Sequence, residues 1–194
     1  AAADLQLHVK SRFAGGNGAK VIWPDLDGNE VDYDFVLVLP DETTPVAFFE
    51  TFWRRGSRHS KDKARDDSTK LRPMSDTYPT ARELGIIAAG DFTAPARLFV
   101  QSLGISLFCV SKDDVLKAWA NEGLTVDYPD RSTEAEKALI LNTVDHVIGQ
   151  DPQVKERIGQ QLRNALGKPA LEALKSSITG KLASLPNEIA IFQE

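Results

Sequence analysis

Apolar and polar positions change period several times along the chain, and each change marks an element. Leu5, Leu7 and Val9 alternate with Gln6, His8 and Lys10, which predicts a strand over Leu5–Phe13. Gly15-Gly16-Asn17-Gly18 follows as a hairpin turn, because it lacks the Lys-Ser/Thr pair and the strand-to-helix setting of a phosphate-cradling loop. Lys20–Trp23 resumes the extended pattern before a second turn at Asp27-Gly28, so the N-terminal segments are expected to form an antiparallel meander. Val31–Leu39 ends in five consecutive apolar residues, which suits a strand buried on both faces. Pro40–Pro45 makes the turn, and Val46–Trp53 returns as its buried partner.

Beyond Trp53 the apolar positions almost disappear. Ser57–Leu71 has a helix-compatible composition, with Ser57 as N-cap and Pro73 as the stop, but Ala64 and Leu71 are its only aliphatic residues. Such a helix is expected to lack a core face and to find its partner in solvent or phosphate. Apolar character returns in a strand over Glu83–Ala89 and a helix over Thr93–Leu103, capped by Thr93 and closed by Gly104. A strand at Ile105–Val110 and a helix from the cap Ser111 to Glu122 complete the order strand, strand, helix, strand, helix, strand, helix. That alternation predicts an α/β fold with a central mixed sheet flanked by helices, over residues 1–126. After Tyr128-Pro129-Asp130, three helices at Thr133–Ile148, Pro152–Leu166 and Pro169–Leu185 predict a C-terminal helical subdomain over 127–194, with Asn187–Phe192 as a last short strand. Leu139, Ile140, Val144, Val147 and Ile148 fall at helical spacing within it.

Composition adds bounds. The 194 residues are 42% hydrophobic and 26% charged, enough for a substantial core without staples. A single cysteine excludes a disulfide within the chain; Cys109 lies in the apolar run Ile105–Val110 and reads as buried, which favours a reducing compartment. No apolar stretch approaches the roughly 20 residues that cross a bilayer, and the first residues lack a signal-peptide layout, so a soluble cytoplasmic protein without membrane association is expected. Charge is distributed unevenly. Between Trp53 and Arg72, eight cations (Arg54, Arg55, Arg58, Lys61, Lys63, Arg65, Lys70, Arg72) face three anions (Asp62, Asp66, Asp67), a local +5 in a chain of net −5. An acidic protein that concentrates its cations this way carries a local anion-binding surface, so its overall charge does not argue against nucleic acid.

The candidate chemistry lies where the buried hairpin meets this basic block. Asp34 enters one strand and Glu50 lies near the end of its partner, a spacing that makes the two carboxylates neighbours at one end of the sheet. Two oxygen ligands on rigid strands, completed by water and substrate phosphate, suit Mg²⁺ or Mn²⁺. Asp34 with Phe-Val-Leu-Val-Leu, then Val-Ala-Phe-Phe-Glu50 and an αβ continuation, resembles the PD-(D/E)xK nuclease superfamily, the restriction-endonuclease-like fold, over Val31–Val110. The resemblance implies Asp34 and Glu50 as metal ligands and a lysine two positions after the glutamate as the water or phosphate contact. That position is Phe52 here, and an apolar ring neither positions hydroxide nor neutralises charge. Some members of the superfamily displace the lysine onto the following helix, which makes Lys63 or Lys61 the expected replacement, with Arg54 as another cation on the strand face of Glu50.

The resulting expectation is a metal-dependent DNA endonuclease acting as a homodimer, with Arg54, Arg55, Arg58, His59 and Arg65 on the nucleic acid. The rival is a nuclease-like module that binds nucleic acid or assembles without cutting, which Phe52 favours. Asp32 stands near Asp34 by alternation, Asp25 is a weaker metal candidate between two turns, and Trp53 is a candidate base-stacking ring. His8 and His146 have no partners at zinc-ligand spacing. A small-molecule α/β enzyme would need a nucleophile or cofactor loop that the sequence does not offer.

Overall fold

The computed structural model describes residues 7–12, 20–56 and 60–183, and the expected strand at Asn187–Phe192 lies outside them. Seven strands and seven helices follow one another in these segments. They are β1 (His8–Ser11), β2 (Val21–Pro24), β3 (Glu30–Tyr33), β4 (Phe35–Val38), β5 (Pro45–Arg54), α1 (Ser60–Leu71), α2 (Met74–Thr77), β6 (Glu83–Gly90), α3 (Ala94–Ser102), β7 (Ser106–Val110), α4 (Lys112–Ala120), α5 (Glu134–Gln150), α6 (Gln153–Leu166) and α7 (Lys168–Ala183). Five strands form a mixed sheet in the order β1-β4-β5-β6-β7, antiparallel as far as β5 and parallel from β5 to β7. The chain is therefore α/β, with helices flanking a central mixed sheet and a helical C-terminal region.

Two-residue alternation divides the strands between two cores. Val36, Val38, Phe48, Phe52, Ile86 and Ala88 face one side, where they meet Ala64, Leu71, Met74, Ala96 and Val100 from α1, α2 and α3. Phe35, Leu37, Ala47, Phe49, Ile87 and Phe108 face the other, under Leu166, Ala170, Leu174 and Ile178 at the end of α6 and along α7. Burial on both faces is why these strands read as continuous apolar runs. The C-terminal helices thus share a hydrophobic cluster with the sheet, and α5 and α6 also pack with α4 around Ala118, Leu124, Val154 and Ile158. Local signals hold where expected: the Thr93 and Ser111 side chains accept the hydrogen bonds of N-caps, and Thr133 with Glu136 forms a capping box. Among the described residues, no helix is long and apolar enough to cross a membrane.

Two expectations are corrected here. Among the described residues the N-terminal segments form no meander: β2 and β3 pair as a separate two-stranded sheet, while β1 pairs with β4. The expected strand Val31–Leu39 is in fact two strands that break at Asp34 and belong to different sheets. The β2–β3 hairpin is held over the first core by Trp23, which meets Phe48 and Tyr78 edge-on, and by Tyr33, whose ring lies 4.9 Å from Phe48.

The basic helix is likewise packed rather than solvated all round. Ser60, Ala64, Asp67, Ser68 and Leu71 recur at helical spacing and are all buried, so small and polar residues supply most of its inner face. The sheet meets this helix along β5, whose pairing with β6 ends at Arg54 and Gly90. Gly90 has φ +106, and a Cβ there would overlap the Arg54 carbonyl oxygen, so only glycine closes the strand this way.

Candidate functional site

Register builds the site. Ser11 pairs with Phe35 and Phe35 with Phe49, so one step further sets Arg12 beside Asp34 and Asp34 beside Glu50 across three strands. The Arg12 amide donates to the Asp34 carbonyl at 3.1 Å, which confirms the first of these neighbours. Helix α1 lies over this row. Its Lys70 donates from Nζ to Glu50 Oε2 at 3.1 Å and to the Asp32 carbonyl at 3.1 Å. The Tyr33 hydroxyl donates to the Lys70 carbonyl at 2.9 Å and so fixes the last turn of α1 against the β3–β4 break.

The carboxylates differ in how far they are satisfied. Asp34 is buried; its Oδ1 accepts from Arg12 Nη1 at 3.1 Å, and its Oδ2 accepts from both the Thr51 amide and the Thr51 hydroxyl at 2.7 Å. Glu50 is 3% exposed, and only Oε2 has a donor, since Oε1 is buried without a hydrogen-bond partner among the described residues. Burial therefore raises the Glu50 carboxyl to about 7, against the opposing pull of Lys70 and with help from the nearby charges of Asp67 and Asp34. Asp67 is 0% exposed and is raised in the same direction by burial, with the Lys63 ammonium opposing at 2.5 Å. Arg12 is held more firmly in its charged form by its hydrogen bond to Asp34 and by the charge of Asp32.

Register sets Asp34 and Glu50 on neighbouring strands, and the lysine in contact with Glu50 is Lys70 rather than Lys61 or Lys63. Lys63 is turned to Asp67 and sits 6.0 Å above the Phe52 ring, while Lys61 is exposed; Lys70 reaches Glu50. Arg12, Thr51 and Asp67 are the other residues of the cluster that the sequence did not single out. The helical phase of Ala64 and Leu71 was the available signal for Asp67 and Ser68, which it turns toward the sheet, but it does not separate Lys70 from Arg65, so the reach of Lys70 to Glu50 is seen only in the packed structure.

The expected nucleic-acid contacts are scattered. Arg55 is engaged by Asp127 at 3.4 Å and by Asp130, with its guanidinium 4.4 Å from the centre of the Tyr128 ring. Asp127 also pairs with Lys112 at 3.0 Å, and chiefly that contact holds its carboxyl below the usual range. Arg54 donates to the Trp53 carbonyl at 3.3 Å, and Arg65 is exposed on α1. Arg58 and His59 lie outside the described residues. Trp53 stands exposed at the end of β5. Asp32 is used by the Val21 amide, and Asp25 organises its own turn by accepting from Asp27 and Asn29. Cys109 is partly buried, and burial raises its thiol.

Chemically, a buried carboxylate with an unfilled oxygen, close enough to Asp67 and Asp34 to feel their charges, is the donor type that a hard divalent cation takes while keeping most of its water. Among the described residues, no group of three or more His, Cys, Asp or Glu side chains gathers into a metal site. Comparison with protein-family models and with curated proteins returned no match. A crystal structure of a protein of unknown function, AF1548, resembles this chain at a TM-score of 0.38 and 13% identity, over 92% of this chain and 89% of that one. The site stands on its own geometry.

Proposed function

We propose that the chain is a metal-dependent DNA endonuclease of the restriction-endonuclease-like class, with its reacting centre at Asp34, Glu50 and Lys70. The observation that carries this reading is the Glu50 carboxylate, buried in β5 beside the end of β4 with one oxygen on Lys70 and the other without a partner among the described residues. A fold does not keep an unsatisfied buried carboxylate for stability, because removing its charge relieves the desolvation cost. Glu50 would hold the cation, Asp34 would face it from the neighbouring strand, and Lys70 would stand where the superfamily's motif lysine is missing at Phe52. A bound Mg²⁺ would supply Lewis-acid polarisation of the phosphodiester and a lowered pKa for the attacking water. Lys70, with 38% of its side chain exposed, can turn from Glu50 to a phosphate oxygen and take up the charge that develops there.

A second reading is favoured by Asp34. Both of its oxygens are already engaged by Arg12 and Thr51, as expected of a nuclease-like module that binds nucleic acid without cutting. Supercoiled plasmid with Mg²⁺ separates the two. The enzyme reading expects nicking and linearisation that vanish in Asp34→Ala and Glu50→Ala. Retarded DNA that stays intact, with affinity falling steeply as salt rises, supports the module instead.

A further inference from the structure

The proposed centre contains two unsatisfied oxygens, not one. Glu50 Oε1 is buried without a partner among the described residues, and Asp67 Oδ2 repeats the condition on α1, its other oxygen being held by Lys63. Both residues are more than nine-tenths buried. They belong to one cluster, because Lys70 follows Asp67 by one helical turn and bonds Glu50. Among the described residues, each carboxylate has one lysine on one oxygen and no hydrogen-bond donor on the other. Asp34, which the sequence motif puts forward, has no oxygen to spare.

Resting on the reading above, we infer that Glu50 Oε1 and Asp67 Oδ2 mark the cation position, so that Asp67 is a direct ligand and Asp34 a positioning residue acting through Thr51 and Arg12. Three observations converge on this. The two oxygens are the carboxylate acceptors of the cluster that remain unfilled, and a buried acceptor is normally satisfied. Lys63 and Lys70 keep 25% and 38% of their side chains exposed, so each ammonium has room to leave as a divalent charge arrives. Asp34, in turn, holds the Thr51 amide, the peptide group that follows Glu50. Two protein carboxylates leave the rest of the shell to water and phosphate, the arrangement Mg²⁺ and Mn²⁺ prefer when they act on a phosphoryl group.

Mn²⁺ binding to the full chain at pH 8, without DNA, tests the inference by calorimetry and by loss of the free-ion paramagnetic resonance signal. Asp67→Asn and Glu50→Gln are expected to weaken binding by about 100-fold or more, and Asp34→Asn, altering an outer partner, by about tenfold. If Asp67→Asn costs no more than Asp34→Asn, the inference is overturned while a site at Asp34 and Glu50 still stands. If the unmodified chain takes up no Mn²⁺ at millimolar concentration, the endonuclease reading falls with it. Should Asp67→Asn fail to fold, Lys63→Met carries the test. With the ammonium gone, Mn²⁺ is expected to raise Tm more than in the unmodified chain, and an equal or smaller rise overturns the assignment.

Discussion

Glu50→Gln is expected to raise Tm and to abolish cleavage in the same protein. The carboxyl of Glu50 rises from an ordinary 4.5 to about 7, chiefly because burial penalises its charged form. The folded state therefore holds that proton more tightly than the unfolded state. The stabilisation from the neutral form is fully present below pH 4.5 and is lost as pH rises through about 7. Glutamine keeps the shape and removes the titration, so its advantage grows with pH. At pH 8 the gain is on the order of 2–3 kcal/mol, the pull of Lys70 being already contained in the value of about 7, or roughly 4–12 °C in Tm for a chain of this size. At pH 4.5 the two proteins are expected to melt together. Cleavage falls on the order of 10³-fold, since the site loses charge stabilisation that no neighbour replaces. Thermal melts from pH 4.5 to 8, with plasmid assays on the same preparations, check both halves. A variant less stable at pH 8 than the unmodified chain would mean that the Glu50–Lys70 pair outweighs the desolvation of the acid.

Lys70→Met is expected to cost activity by about 10²–10³-fold, while Lys61→Ala and Lys63→Met cost much less. Lys70 is the ammonium in contact with Glu50, whereas Lys61 projects outward and Lys63 is turned to Asp67. Its removal also deletes the main influence holding the Glu50 carboxyl down, so that group shifts further upward. Residual activity should then appear only at higher pH. A rate profile over pH 6–9 therefore separates an ammonium that acts at the centre from one that merely packs the helix. Equal losses at Lys63 and Lys70, with an unshifted profile, would count against the assignment.

How much of this was legible in the sequence varies from element to element. The buried hairpin β4–β5 and the crossing order after it were readable, because strands covered on both faces leave continuous apolar runs. Those same runs hid the break at Asp34. Val31–Leu39 looks like one strand, and only the turn of Asp34 toward Thr51 splits it. The pairing of β1 with β4, around the inserted β2–β3 hairpin, rests on contacts distant in sequence that local alternation does not encode, so Arg12 went unnoticed. The adjacency of Asp34 and Glu50 followed from hairpin length alone. The helix α1 misled for a definite reason: three of its five buried residues are Ser60, Asp67 and Ser68. A search for aliphatic residues sees no inner face there, and the basic residues at its start drew attention away from Lys70 at its end. The C-terminal helices were visible as helices. Their seat on the second face of the sheet was not, because helical periodicity names an apolar stripe without naming what covers it.

The most direct measurement is phosphodiester cleavage itself. End-labelled duplex and single-stranded DNA are incubated at pH 8 with Mg²⁺ or Mn²⁺ and with equal amounts of the unmodified chain or Glu50→Gln, each verified as folded by its melt. The account predicts metal-dependent cutting by the unmodified chain and none by the more stable variant. Cutting by Glu50→Gln at an undiminished rate, or intact DNA with every metal and both proteins, would contradict it.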